Sequence, residues 1–263
     1  MRPLDWAYPT RPVRREVLSA HPDADADRPP VLFVPGYGHG AWAFAEHWLE
    51  HAAGRGYPAY AMSLRGHGQS GHAPRTTLRA YAHDVAQVAA ALPRQAVLVG
   101  HGVGGLAVAR ALTRYPARAA VLAAPVLRGW ASLGAALLNH PAGTLPAIFG
   151  GRLRLRRRQL FGRDLDQGRA RDYAAKMRGR APLVQWQLLA HRAPARPAGA
   201  PHVLVIGSPD DRIVPRGALV KVARAYGGEP LLFPGMGHDL MLDARWSEPL
   251  DAILDWLDKL GAF

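Results

Sequence analysis

The stretch Ala96-Val-Leu-Val-Gly-His-Gly-Val-Gly-Gly105 decides the fold. Its first four residues form an unbroken apolar run, which is typical of a strand buried on both faces. Glycines crowd the turn that follows, and a helical pattern runs over Leu106–Tyr115. A strand that enters a tight glycine-bounded turn and continues as a helix is the layout of a nucleophile elbow, whose pattern is G-x-S-x-G. Here the pattern reads Gly100-His101-Gly102-Val103-Gly104, so Gly102 stands at the position of the serine.

Further apolar runs on both sides of the elbow alternate with helical patterns, and this alternation predicts a mostly parallel sheet covered by helices. A helix is expected from Leu78 until Pro93 closes it, and another near the C-terminus with Ser247 as its N-cap and Pro249 in its first turn. A weaker strand is expected near Arg15–Ser19. The strand-like runs are Val31–Val34, Pro58–Leu64, Ala96–Val99, Ala119–Ala124, His202–Ile206 and Pro230–Phe233.

The alternation stops between residues 127 and 198, where the composition is helical. We expect residues 1–126 and 199–263 to form one core domain and residues 127–198 to form a helical cap, or lid, over the edge of the sheet where ligands bind. An apolar stripe in the cap favours ordinary cap core, with a lipophilic pocket as the alternative. The stripe consists of Leu127, Trp130, Leu133, Leu137, Leu138, Leu145, Ile148 and Phe149.

The chain is strongly basic, but the charge is local. Of its 263 residues, 33 are lysine or arginine and 20 are aspartate or glutamate, a formal net charge of +13. Residues 151–181 hold eleven of the basic residues and three of the acidic ones, so this segment carries +8. A solvated cap face is the expected reading of the arginine run 152–158. Attraction of an anionic substrate or a membrane surface is the alternative, and nucleic acid is not expected because no reading motif accompanies the charge.

The composition also excludes several kinds of chemistry. The chain has no cysteine, which excludes disulfides, thiolate nucleophiles and cysteine-based metal sites. The segment Met1–Trp6 lacks the apolar core of a signal peptide, so a cytoplasmic protein is expected. No cofactor and no metal are expected, and the oligomeric state is left open.

The elbow and four further motifs in sequence order resemble those of the α/β-hydrolase family, in particular its monoacylglycerol lipase and lysophospholipase-like branch, over nearly the whole chain. Besides the elbow, Val31-Leu-Phe-Val-Pro-Gly-Tyr-Gly-His-Gly-Ala-Trp42 is similar to the oxyanion loop, although Pro35 replaces its usual histidine. Leu64-Arg-Gly-His-Gly-Gln-Ser70 is similar to the R-G-H-G-x-S loop. The segments Val203–Pro215 and Phe233–Asp239 resemble those that carry the catalytic acid and histidine.

The resemblance implies site residues. Asp211 would be the acid, with Asp210 as its rival, and His238 the base, in the chain order that this fold uses. The backbone N–H groups of Tyr37 and Val103 would form the oxyanion hole. Pocket candidates are His39, His101 and Trp130, although both histidines more readily serve the structure of their glycine turns. Asp239 and Asp243 are expected to support the backbone of the histidine loop or to cap a helix.

Gly102 leaves three hypotheses open, because no acyl-enzyme can form without a hydroxyl or a thiol. In the first, His238 and Asp211 act as a general base in non-covalent chemistry on a hydrophobic ligand with a carboxylic-ester-like carbonyl. In the second, the protein is a pseudoenzyme that binds a hydrophobic or anionic ligand, or a protein. In the third, the glycine is an engineered replacement that inactivates an esterase.

Overall fold

The computed structural model describes residues 10–24, 27–127, 129–149, 151, 153–179, 181–190 and 194–261. Arg152 and Arg180 of the basic segment, and the start of the chain, lie outside these residues. Seven strands are found within them, each close to a run that the sequence predicts. The strands are β1 (Val17–Ala20), β2 (Val31–Val34), β3 (Ala59–Met62), β4 (Val97–His101), β5 (Ala119–Ala123), β6 (His202–Gly207) and β7 (Leu231–Leu232).

The strands form one sheet in the order β1-β3-β2-β4-β5-β6-β7. Strand β1 runs antiparallel to β3, and every other neighbouring pair is parallel. Strand β4, which leads into the elbow, lies at the centre between β2 and β5, and every residue of these three strands is buried. This burial on both faces explains their continuous apolar sequence. The sheet confirms the predicted α/β-hydrolase fold.

Helices flank the sheet on the described part of the chain. Helix α3 begins where predicted, because the Thr77 hydroxyl accepts a hydrogen bond from the backbone N–H of Ala80 (3.2 Å) and caps it. The helices are α1 (Trp42–Ala45), α2 (Trp48–Gly54), α3 (Leu78–Ala90), α4 (Val103–Ala111), α5 (Gly129–Asn139), α6 (Pro141–Ile148), α7 (Arg157–Leu160), α8 (Gln167–Lys176), α9 (Pro182–Ala190), α10 (Arg216–Ala225) and α11 (Ser247–Lys259). None of them is both long and apolar enough to cross a lipid bilayer.

Two helix starts differ from the sequence prediction. Helix α4 begins at Val103 and not at Leu106, because the elbow passes directly into it. A Cβ atom on Gly104 would lie 2.3 Å from the carbonyl oxygen of Val34, so only glycine lets the first turn pack this closely against β2. Helix α11 begins at Ser247, which is therefore not its N-cap. The preceding Trp246 is already in helical conformation and donates its N–H to the carbonyl of Asp243 (3.2 Å).

Helices α5 to α9 connect β5 to β6, in the segment where the sequence predicts a helical cap. The apolar stripe of this segment divides in two. Trp130, Leu138, Leu145 and Phe149 are 68%, 87%, 48% and 82% exposed, so the expectation that they form cap core is wrong for these four. Helical periodicity indicates which residues of a helix share a face but cannot tell which face is covered. The arginines at 154 and 156–158 are exposed, as expected for a solvated face.

Candidate active site

A histidine and an aspartate meet at the edge of the sheet where its parallel strands end. Asp211 follows β6 and His238 follows β7, and Nδ1 of His238 lies 2.7 Å from Oδ2 of Asp211. The other carboxylate oxygen of Asp211 accepts hydrogen bonds from the backbone N–H groups of Ile213 (2.7 Å) and Val214 (3.0 Å), which fix the carboxylate. The rival Asp210 is turned elsewhere and accepts from the N–H of Gly235 (2.7 Å).

The elbow brings Gly102 against the other nitrogen of the same imidazole. An ideal Cβ atom at Gly102 would lie 3.3 Å from Nε2 of His238. The turn is fixed by its backbone, because the N–H of Gly102 donates to the carbonyl of Ala123 (3.0 Å) and its carbonyl accepts from the N–H of Val126 (3.0 Å). The structure therefore places the imidazole of His238 between Asp211, on its Nδ1 side, and Gly102, on its Nε2 side, which is the spatial order of a catalytic triad.

Gly102 adopts φ +54° and ψ −118°, a conformation that L side chains rarely take. We therefore expect Gly102→Ala to lower the free energy of unfolding by about 1–3 kcal/mol through backbone strain. Urea unfolding of both proteins measures this difference. Gly134→Ala is the matched control, because Gly134 lies inside α5 with no atom within 4 Å of an added Cβ, and this change should stabilise slightly. Equal stability of Gly102→Ala and wild type would contradict the strain.

The pKa values of His238 and His101, the two histidines beside Gly102, are shifted in opposite directions. Burial lowers the pKa of His238, but the charge and hydrogen bond of Asp211, with the charge of Asp239, outweigh it and leave the pKa above its ordinary value. Burial, with the nearby His238, lowers the pKa of His101 to about 3. His238 is thus the histidine whose protonated form the site stabilises, which is what a base that accepts a proton requires.

A second buried cluster, formed by His39, His101 and Asp239, adjoins this pair. Nε2 of His39 lies 3.0 Å from Oδ2 of Asp239, and Nε2 of His101 lies 3.6 Å from Oδ1. Asp239 therefore contacts two side chains and does not act as the backbone support that the sequence suggested. Asp243 does have that role, since its Oδ2 accepts from the N–H groups of Gly237 (3.0 Å) and Gly162 (2.9 Å).

An apolar cavity of about 120 Å³ is bordered by His238 and by both histidines of the second cluster, His39 and His101. Tyr37, His39, His101, Gly102, Val103 and His238 all border it, so these predicted site residues come together. Trp130 does not border it and lines a separate groove with Pro197 and Tyr226. The helices that connect β5 to β6 supply most of the apolar lining, including Leu133, Ala136, Ile148, Leu188 and Leu189.

Sequence reasoning missed three polar residues that line this cavity, Ser132, Thr144 and Gln185. Gln185 of α9 lines it and is buried, and neither its Nε2 nor its Oε1 has a hydrogen-bond partner among the described residues. The available signal was a polar side chain within the apolar helical stretch Pro182–Ala190, although Gln187 in the same stretch gives the same signal. A buried amide needs hydrogen-bond partners, which is why such a position attracts attention.

Comparison with known proteins agrees with this architecture. Residues 31–256 match the alpha/beta hydrolase family. No curated protein matches the sequence significantly. Similar solved structures include a thermophilic esterase from Thermogutta terrifontis, with 17% identity, 95% of each chain covered and a TM-score of 0.70. The monoacylglycerol lipase of Paleococcus ferrophilus is 19% identical, with 94% of this chain and 98% of that chain covered and a TM-score of 0.63.

A third similar structure is an N-acyl homoserine lactonase in the form of a serine-to-glycine mutant complexed with N-hexanoyl homoserine lactone. It is 19% identical, with 93% of each chain covered and a TM-score of 0.68. These likenesses show the shared fold, and the sequence match covers nearly the whole core. The chain belongs to the alpha/beta hydrolase family.

Proposed function

We propose that this protein is a hydrolase of esterase type that works without a covalent intermediate. In this proposal His238, paired with Asp211, acts as a general base on a water molecule beside Gly102. The observation that carries it is that Gly102 and His238 both border the cavity and that Nε2 of His238 faces the Cβ position of Gly102 at 3.3 Å, so no side chain at position 102 separates the base from the cavity. General-base catalysis needs a positioned base within hydrogen-bond reach of that water and no side-chain nucleophile.

The proposed reaction is the hydrolysis of an ester by water. Nε2 of His238 takes a proton from the water while the water oxygen bonds to the carbonyl carbon. The negative charge on the carbonyl oxygen is stabilised by backbone N–H groups, which we assign to Tyr37 and Val103. The bond to the leaving alcohol then breaks, and His238 returns the proton to that alcohol. Asp211 stabilises the imidazolium in between.

The cavity favours an apolar ligand with one or two polar groups. Its lining is largely apolar, which suits an acyl or aromatic portion. The unpartnered amide of Gln185 would pair with a polar group of the ligand, because a buried amide is satisfied by such a contact. We therefore propose a hydrophobic ester or lactone as the ligand class.

Hydrolysis of short and long acyl aryl esters and of N-acyl homoserine lactones tests this function. His238→Ala should lower kcat/KM by about 10²–10⁴, the usual contribution of a general base. Gly102→Ala should also lower it, because the added methyl group would lie 3.3 Å from Nε2 and take the place of the water. Trp130→Ala is the control, since Trp130 lies outside the cavity. Turnover by His238→Ala equal to wild type would overturn the proposal.

Gly102 itself favours a second candidate, a ligand-binding protein without turnover. The lactonase was solved as a serine-to-glycine mutant with a bound lactone, so a protein of this fold can hold a ligand when it carries such a replacement. In this case isothermal titration would detect lactone binding by wild type, whereas no turnover above background would be seen. Mass spectrometry of the extract from the purified protein would then identify the bound molecule.

A further inference from the structure

We propose that His39, His101 and Asp239 form a binding site for a divalent transition-metal ion, with zinc as the representative metal. The three residues come from three loops or strand ends, after β2, at the end of β4 and after β7. Because β2 and β4 are parallel neighbours, their carboxyl ends meet at one edge of the sheet. The proposal does not depend on the proposed function, since it involves neither Gly102, Asp211 nor the side chain of His238.

The spacing of the donor atoms fits a small cation. The carboxylate oxygens of Asp239 lie 3.0 Å from Nε2 of His39 and 3.6 Å from Nε2 of His101, and one donor from each residue lies within 4.8 Å of the others. In a tetrahedral zinc site with bonds of about 2.0–2.1 Å, neighbouring donors are separated by about 3.3 Å. The two observed separations, which involve different oxygens of Asp239, lie on either side of that value, and side-chain shifts would bring one of these oxygens and both nitrogens to it.

The kind of donor selects the kind of metal. Two imidazole nitrogens and one carboxylate are the ligands of catalytic zinc and of other divalent transition metals. Calcium and magnesium instead prefer a shell made entirely of oxygens. Three protein ligands also leave one coordination position free. His39 and His101 both border the cavity, which gives an ion an entry path and gives that free position access to water or ligand.

The burial of Asp239 gives an electrostatic reason for a cation to bind at this site. Its side chain is fully buried, and Oδ1 has no hydrogen-bond donor among the described residues. A buried carboxylate that is only partly paired is costly, and a cation between it and the histidines would offset that cost.

Coordination would change the tautomer of both histidines. Nε2 of His39 now faces Oδ2 of Asp239 and Nε2 of His101 faces the carbonyl of His238, and both contacts need the ring proton on Nε2. With an ion bound, the proton of each neutral ring would lie on Nδ1, which has no partner in the described part of the chain. In His101, coordination would replace the contact of 3.1 Å between Nε2 and the backbone carbonyl of His238.

Isothermal titration of the untagged, metal-free protein with zinc chloride tests the site. We expect one ion per chain, and we expect His39→Ala and Asp239→Asn each to weaken binding by more than about 100-fold, since loss of an outer-shell partner alone costs 10–100-fold. Asp211→Asn is the matched control, because it makes the same change in the other buried histidine–aspartate pair, and it should bind zinc as wild type does. Circular dichroism and thermal melting establish that each variant is folded.

Anomalous diffraction at the zinc edge, on crystals of the wild-type protein soaked in zinc, keeps the test independent of any variant. A peak about 2.0–2.2 Å from Nε2 of His39, Nε2 of His101 and a carboxylate oxygen of Asp239 would support the site. Three results would overturn it: no stoichiometric binding, a peak only at other histidines, or equal zinc affinity in Asp239→Asn and wild type.

Discussion

Gly102→Ser is expected to turn this protein into a serine esterase that reacts with a fluorophosphonate probe and hydrolyses aryl esters about 10³-fold or more faster than the wild type. A serine at this position would place its hydroxyl beside Nε2 of His238, because the Cβ position is 3.3 Å from that atom. Asp211 already holds Nδ1 of the same ring at 2.7 Å. Removing the serine from an assembled triad can cost about 10⁶ in kcat, so restoring it should recover a large part of that factor.

Probe labelling followed by mass spectrometry, together with ester turnover, measures the gain. Gly102→Ala introduces the same Cβ without a hydroxyl and should remain unlabelled. Gly102→Ser combined with His238→Ala should label far more slowly, because the hydroxyl would lack its base. The serine must adopt φ near +54°, so a loss of about 1–3 kcal/mol in stability is expected beside the gain. A folded Gly102→Ser protein that neither labels nor hydrolyses esters would contradict the triad geometry.

Asp84→Ala is expected to lower the free energy of unfolding by about 3–5 kcal/mol, because it leaves the guanidinium of Arg65 buried without its partner. The pair is bidentate: Nε of Arg65 donates to Oδ2 of Asp84 (2.6 Å) and Nη2 donates to Oδ1 (2.5 Å). Both side chains are buried. Arg65 belongs to the Leu64–Ser70 loop, so the carboxylate on α3 anchors the arginine of that motif.

Urea unfolding of the two proteins measures this loss. Asp255→Ala is the control, because Asp255 accepts a hydrogen bond from Arg55 (2.7 Å) at an exposed position, where an ion pair contributes about 1 kcal/mol or less. If Asp84→Ala does not fold, Asp84→Asn keeps the shape of the side chain and should still lose more stability than the control. A loss for Asp84→Ala no larger than that for Asp255→Ala would contradict the importance of the buried pair.

The sequence alone was sufficient for the order of the elements and for the fold. Strands buried on both faces have continuous apolar runs, as Val31–Val34 and Val97–Val99 show, and this signal is local. The start of α4 could not be predicted in the same way. Glycines 104 and 105 indicate a turn when they are read locally, whereas in the structure they are helical because the first turn packs against the carbonyl oxygens of Val34 and Pro35.

At the site, too, some features follow from the sequence and others only from the folded structure. The position of Gly102 in the elbow follows from its neighbours in the chain, and so does the absence of a hydroxyl there. The choice between Asp210 and Asp211 depends on side-chain direction, which the Asx turn on Ile213 and Val214 fixes only in the folded loop. Whether Trp130 borders the cavity likewise depends on which face of α5 is covered, and a helical stripe has the same period on either face.

The sequence suggested His39 and His101 as pocket residues, but their contact with Asp239 was decided only by the tertiary structure. His39 and Asp239 are 200 residues apart in the chain, and no motif links them. They meet because parallel strands direct their carboxyl ends to one edge of the sheet, so loops that are distant in sequence become neighbours there. The sequence by itself placed a glycine in the turn after β4, and candidate aspartates and a histidine in the segments after β6 and β7, because those features reside in local motifs. Only the packing of the strands determined that the imidazoles of His39 and His101 would share the buried carboxylate of Asp239 beside His238.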